Sequence, residues 1–144
     1  MAFNDRNQNV KSDVEQACQV ALDFVKRYYE SLDRRRHLVS RLYQDTAILV
    51  WNGNGIMGKE EIQKFLSDLP SCDHTVKVLD SQKILDSAVS NQLAYSILAT
   101  GTVKYTGKPM RQFAENFIIA AEGERWKIVS DSFRFQEFVS KDIA

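Results

Sequence analysis

Apolar residues in the first part of the chain recur at helical spacing. Val14, Ala17, Cys18, Ala21, Val25, Tyr28, Tyr29 and Leu32 fall on one side of a helix about 30 Å long. Ser12 opens it, because its hydroxyl can accept the Glu15 amide proton while the Glu15 side chain reaches back to the Ser12 amide. Residues 1–11 (MAFNDRNQNVK) hold little to bury and read as a mobile tail before a single domain over residues 12–144. Asp33 and the run Arg34-Arg35-Arg36 interrupt the stripe. Leu38, Val39, Leu42 and Tyr43 then mark a short second helix.

The period changes from there on. Ala47–Trp51 is a short β-prone run. Asn52-Gly53 is a two-residue hairpin signal, since both central residues of a type I′ turn take positive φ, and Asn54–Met57 is the return strand. Gly58 and Lys59 lead into a third helix with Ile62, Phe65, Leu66 and Leu69 inward and Pro70 as its stop. Beyond Pro70 only strands are predicted: His74–Leu85, Gln92–Tyr105, Met110–Ala121 and Arg125–Gln136. The joints, Asp86–Asn91, Thr106–Pro109 and Glu122–Glu124, have turn chemistry and suit antiparallel neighbours. Helices first and strands last predict an α+β domain, a strongly bent antiparallel sheet with three helices on one face.

Alternation gives that sheet two unlike faces. Phe113, Glu115, Phe117 and Ile119 share a side with Leu93, Tyr95, Ile97, Ala99 and Val103, and with Val129, Asp131, Phe133 and Phe135. This heavier set should meet the helices. The opposite parity holds Leu98, Asn116, Ile118, Ile128, Ser130, Ser132, Arg134 and Gln136 among Ala, Ser and Thr. Arg134 is the single formal charge on this second face. A face kept for water would carry more Lys and Glu, so this one reads as the core of a protein interface.

Composition removes several classes of function. Lys plus Arg (19) equals Asp plus Glu (19), and a general nucleic-acid binder needs a positive excess to displace counterions. Two cysteines, Cys18 and Cys72, form neither a disulfide framework nor a metal spacing. No run approaches a membrane span and the N-terminal residues lack a signal-peptide core, which points to cytoplasm or nucleus.

Candidate chemistry is sparse. Asp131 lies on the inward parity with Tyr28, Tyr29 and Glu115 within possible reach. A buried carboxylate of this kind is either a general base or a structural group bonded to backbone or tyrosine. His37 and His74 have no evident acidic partner, Cys18 sits on the apolar stripe as core packing, and Cys72 falls in a loop. The Arg34–Arg36 run reads as a solvated surface in a chain of zero net charge.

Five segments carry a family likeness: Phe24–Tyr29 (FVKRYY), Asp33–Tyr43 (DRRRHLVSRLY), Leu49–Asn54 (LVWNGN), Phe113–Ile119 (FAENFII) and Trp126–Gln136 (WKIVSDSFRFQ). In this order they resemble the nuclear transport factor 2-like family, and within it the branch of small subunits of the messenger-RNA export receptor. The resemblance implies a cone-shaped fold and no enzyme activity, cofactor or metal. It implies sheet-to-sheet pairing with a similar domain of the large receptor subunit, through the positions of Leu98, Asn116, Ser132 and Arg134. It also implies shuttling between nucleus and cytoplasm at the nuclear pore, with nucleoporin Phe-Gly repeats bound through the complex and no direct contact with nucleic acid or membrane. Enzymes of the same fold work from a pocket Asp, which keeps a dehydratase- or isomerase-like role for Asp131 as the alternative. The homodimeric import factor of this fold uses an acidic loop to contact the GDP-bound transport GTPase. The corresponding Thr106-Gly107-Lys108 replaces acids with a hydroxyl and a cation, so binding of that GTPase is not expected.

Overall fold

A computed structural model describes residues 2–84 and 92–136, with side chains from residue 11 onward. Helix α1 (Ala2–Arg34) leads into a 3-10 segment, Arg36–Leu42. Strands β1 (Tyr43–Trp51) and β2 (Asn54–Met57) follow, then α2 (Lys59–Ser67). Four long strands complete the chain: β3 (Cys72–Ile84), β4 (Ala94–Tyr105), β5 (Arg111–Glu122) and β6 (Arg125–Gln136). One sheet orders them β2-β1-β6-β5-β4-β3.

The helix starts at Ala2, ahead of the expected start at Ser12, so Ser12–Glu15 is not its N-terminal cap. Once Ala17–Leu32 is packed, each added residue costs little, and residues 2–11 contain no Gly or Pro to stop propagation. The expected second helix is present over Arg36–Leu42 but winds as a 3-10 segment, and Tyr43, expected on its apolar side, opens β1 instead. The hairpin is as predicted, with Asn52 at φ 47° and Gly53 at φ 88°.

The sheet is not wholly antiparallel. β1 runs parallel to β6, pairing Leu49 with Asp131 and Trp51 with Phe133. Short joints govern only consecutive strands. β1 and β6 are far apart in sequence, and their direction is set when the hairpin closes the sheet edge.

Two irregularities bend the strands. Between β3 and β4 the register shifts after Val76, and Gly101 lies opposite it. A Cβ on Gly101 would fall 1.9 Å from the Thr75 carbonyl oxygen, so the close approach requires glycine. Between β5 and β6 the register shifts so that Ile118 faces Ser130 while Ile119 faces Ile128, leaving Val129 as the extra residue.

The core fills the concave side of the sheet. Phe24, Val25, Tyr28 and Leu32 of α1 and Ile62 and Leu66 of α2 pack on Tyr95, Ile97, Phe113, Phe117, Ile119 and Phe133. Trp51 stacks on Phe133 at 3.9 Å and 8°, fixing the hairpin to the last strand. Cys18 departs from expectation: it is exposed, on the side of α1 facing away from the sheet. Cys72 is buried as the first residue of β3 and is not in a loop. The expected Asp86–Asn91 joint lies outside the described residues.

Candidate pairing face and polar interior

The convex face of the sheet is assembled from cross-strand rows. Leu98, Asn116 and Ser132 stand side by side on β4, β5 and β6, with Val50 of β1 and Asp80 of β3 at the row ends. The next row is Thr100, Ala114 and Arg134, and beyond it come Thr102, Gln112 and Gln136. On the other side lie Ser96, Ile118 and Ser130, continued by Ile48 of β1. Leu98, Ile118 and Ser130 are half-buried, while Asn116, Ser132, Arg134 and Gln136 are exposed. Ile48 and Val78 widen the apolar area toward both edges.

Ile128 does not belong to this face. It is fully buried and paired with Ile119, because the extra residue at Val129 reverses the strand's alternation below Ser130. A bulge leaves no mark in an apolar–polar pattern this mixed, so simple alternation misplaces every position beyond it.

Arg134 forms no ion pair among the described residues. Glu115, on the neighbouring strand, points into the core. Asp80 is three strands away, about 14 Å at ordinary strand spacing. Arg134 is directed outward because Phe133 is buried and Phe135 packs against the core on the other side.

Inside the cone two carboxyls are almost completely buried, Glu115 (1% exposed) and Asp131 (2%). They are diagonal neighbours on β5 and β6, since Glu115 pairs with Phe133 and Asp131 with Phe117. Tyr43 donates to Asp131 Oδ2 at 2.6 Å, Tyr28 approaches the same oxygen at 3.4 Å, and Tyr29 donates to Glu115 Oε1 at 2.8 Å. Among the described residues Glu115 Oε2 and Asp131 Oδ1 have no hydrogen-bond partner, and a proton held between the carboxyls would satisfy both. Burial and then the Asp131 charge push the Glu115 pKa well up. Burial also raises that of Asp131, opposed by hydrogen bonds from Glu115, Tyr43 and Tyr28. Burial thus favours a protonated Glu115, while Asp131 accepts from Tyr43 and Tyr28.

A second polar group locks α1 to β3. Asp33 takes the backbone amide of His74 (2.8 Å) and its Nδ1–H (2.7 Å). His74 lies between Tyr29 and Phe113. The Cys72 thiol donates to Asp33 and lies 3.1 Å from the Arg36 guanidinium, and burial followed by the Asp33 charge pushes its pKa up to about 12. Asp33, Cys72 and His74 bring three potential metal-ligand atoms within 4.8 Å. The Asp33–His74 contact is hydrogen-bond length, and Arg36 already places a positive charge at the sulfur. The acidic partner of His74 is distant in sequence and had no local signal.

Comparison with known proteins agrees with this architecture. Residues 20–135 match the model of the nuclear transport factor 2 (NTF2) domain. The chain belongs to the nuclear transport factor 2 family. It is 44% identical over 132 residues to NTF2-related export protein 1 of Bos taurus, covering 89% of this chain and 94% of the relative. It is 40% identical over 134 residues to NTF2-related export protein 2 of Homo sapiens, covering 90% and 94%. Among solved structures, nuclear transport factor 2 of Cryptosporidium parvum superposes with a TM-score of 0.75 at 21% identity, over 84% of this chain and 95% of that one. A chain of the C. albicans Mtr2–Mex67 M domain complex reaches 0.69 at 14% identity, over 88% and 99%. The family's cone is the fold found here, with the parallel β1–β6 pair closing one side of its sheet.

Proposed function

We propose that this chain is the non-catalytic small subunit of a messenger-RNA export receptor. Its convex sheet face covers the matching face of a nuclear transport factor 2-like domain in a larger subunit. The carrying observation is that face: half-apolar rows from Ser96–Ile118–Ser130 to Thr102–Gln112–Gln136, in which Arg134 is the one charge on β4, β5 and β6, while the bulge brings Lys127 to the far end of the face beside Ala120. The export-protein relatives support the reading, as does the fold shared with a protein solved in an Mtr2–Mex67 complex. A stable pair of this kind buries about 1,600 Å² or more. The complex binds nucleoporin Phe-Gly repeats and shuttles between nucleus and cytoplasm.

Arg134 favours a heterodimer. In a two-fold homodimer a central Arg approaches its own copy, whereas an unlike partner can offer a carboxylate for a two-pronged bond. The polar interior argues against the enzyme alternative. Asp131 is closed in by Tyr28, Tyr43 and Phe117, all of them fully buried, and its hydrogen bonds are spent on tyrosines. A general base needs a substrate proton within about 3 Å, which requires an open pocket beside it. Tandem purification of the tagged chain with mass spectrometry tests the assignment. One large subunit recovered in 1:1 ratio supports it, and a chain recovered alone contradicts it.

A further inference from the structure

A groove of about 490 Å³ lies on the helical side of the molecule, away from the convex face. Arginines from four places in the chain line it: Arg27 on α1, Arg35 at the joint, Arg41 in the 3-10 segment and Arg125 at the start of β6. Glu30 is the one acid in its wall, and half-buried Trp126 forms part of its side. Among the described residues none of these four guanidiniums makes an ion pair. Glu122 ends β5 opposite Arg125 and Glu124 precedes Arg125 in the turn, but among the described residues neither forms an ion pair with these arginines.

Four like charges gathered around a single acid cost stability, and an anion reduces that cost. Guanidiniums suit phosphate oxygens through paired N–H bonds, and an indole beside them suits a flat ring. A cationic groove with an aromatic wall is the arrangement that holds single-stranded nucleic acid without reading its sequence. We propose that this groove binds the phosphate backbone of single-stranded RNA, with Trp126 as the stacking surface for a base. Zero net charge speaks against a chain-wide nucleic-acid surface, and the binding proposed here is confined to this groove, where four arginines stand against one acid. The inference stands apart from the pairing reading, since the groove and the convex face can be occupied together.

The test uses the full-length chain and a short fluorescein-labelled oligouridine, with binding followed by anisotropy across a salt series. The logarithm of affinity should fall with the logarithm of salt at a slope of roughly −2 to −3, for up to four phosphates at about −0.7 each. The double variant Arg35→Ala/Arg41→Ala should bind about tenfold less tightly with a shallower slope, and Trp126→Leu should weaken binding with the slope unchanged. The double variant Lys64→Ala/Lys108→Ala, outside the groove, should bind like the parent. Should the first double variant melt early, Arg125→Gln alone should still flatten the slope. Absence of binding by the parent chain would overturn the proposal. So would equal losses in the two double variants, or a phosphopeptide bound in preference to the oligonucleotide.

Discussion

The Tyr43 hydroxyl lies 2.6 Å from Asp131 Oδ2 and 2.8 Å from the Tyr28 hydroxyl, so one oxygen joins the first strand, the last strand and α1. Both tyrosines are completely buried. The cone is therefore closed by a hydrogen-bonded chain of tyrosines that ends on the buried Asp131 carboxyl, with the buried Glu115 beside it. Loss of an acceptor here leaves buried hydroxyls unsatisfied, and Asp131→Ala should cost about 3 kcal/mol or more. Urea denaturation of parent and variant measures it, and a loss under about 1 kcal/mol would mean the chain is not structural.

Glu115 gives a pH dependence of defined sign. Its folded pKa lies above the unfolded value, so it binds a proton in the folded state that the unfolded state has released. Its stabilising contribution is full below the ordinary glutamate range and is lost as pH rises from there toward the folded value. Glu115→Gln keeps the acceptor for Tyr29 and a donor toward Asp131 but cannot ionise. It should gain on the parent by up to about 1.4 kcal/mol per pH unit through that window. Melting curves from mildly acidic to neutral pH test this, and parallel curves for the two proteins would contradict it.

The two thiols should differ sharply. Exposed Cys18 should react with a thiol reagent at mildly alkaline pH, while Cys72, buried beside Asp33 with its pKa pushed up to about 12, should not. One equivalent modified in the native protein and two in denaturant is the expected count. Rapid native labelling of both would show that the Asp33–Cys72–Arg36 lock opens freely.

Gly101 should not tolerate a side chain. Gly101→Ala places a methyl 1.9 Å from the Thr75 carbonyl, and only backbone movement of β3 relieves it. Expected destabilisation is about 1–3 kcal/mol, read from denaturant midpoints. A variant as stable as the parent would mean that the β3 bulge slides.

Much of this was legible in the residues, for reasons that differ by element. Asn52-Gly53 announces its turn because few residues accept positive φ, and Arg125–Gln136 keeps its predicted bounds because turn chemistry precedes it. Arg134, Ser132 and Asn116 were placed by alternation, which holds across an unbroken ladder. Ile128 was misplaced because a single extra residue at Val129 inverts that alternation, and apolar Ile fits either face. The Asp33–His74 pair and the arginine groove join residues that only the closed sheet brings together, so local spacing carries no trace of them. The helix start at Ala2 was hidden because polar residues favour a tail and an exposed helix alike.

The convex face is tested most directly by co-expressing the chain with the large export-receptor subunit and measuring the mass of the purified complex by light scattering. A 1:1 heterodimer is expected. Arg134→Asp should lose it and Arg134→Ala should weaken it by roughly 2–5 kcal/mol, since the partner's carboxylate would stay buried and unpaired. An acid-to-Arg change in the partner should partly restore the Arg134→Asp complex. A soluble monomer indifferent to the large subunit, or unchanged binding by Arg134→Asp, would contradict the account.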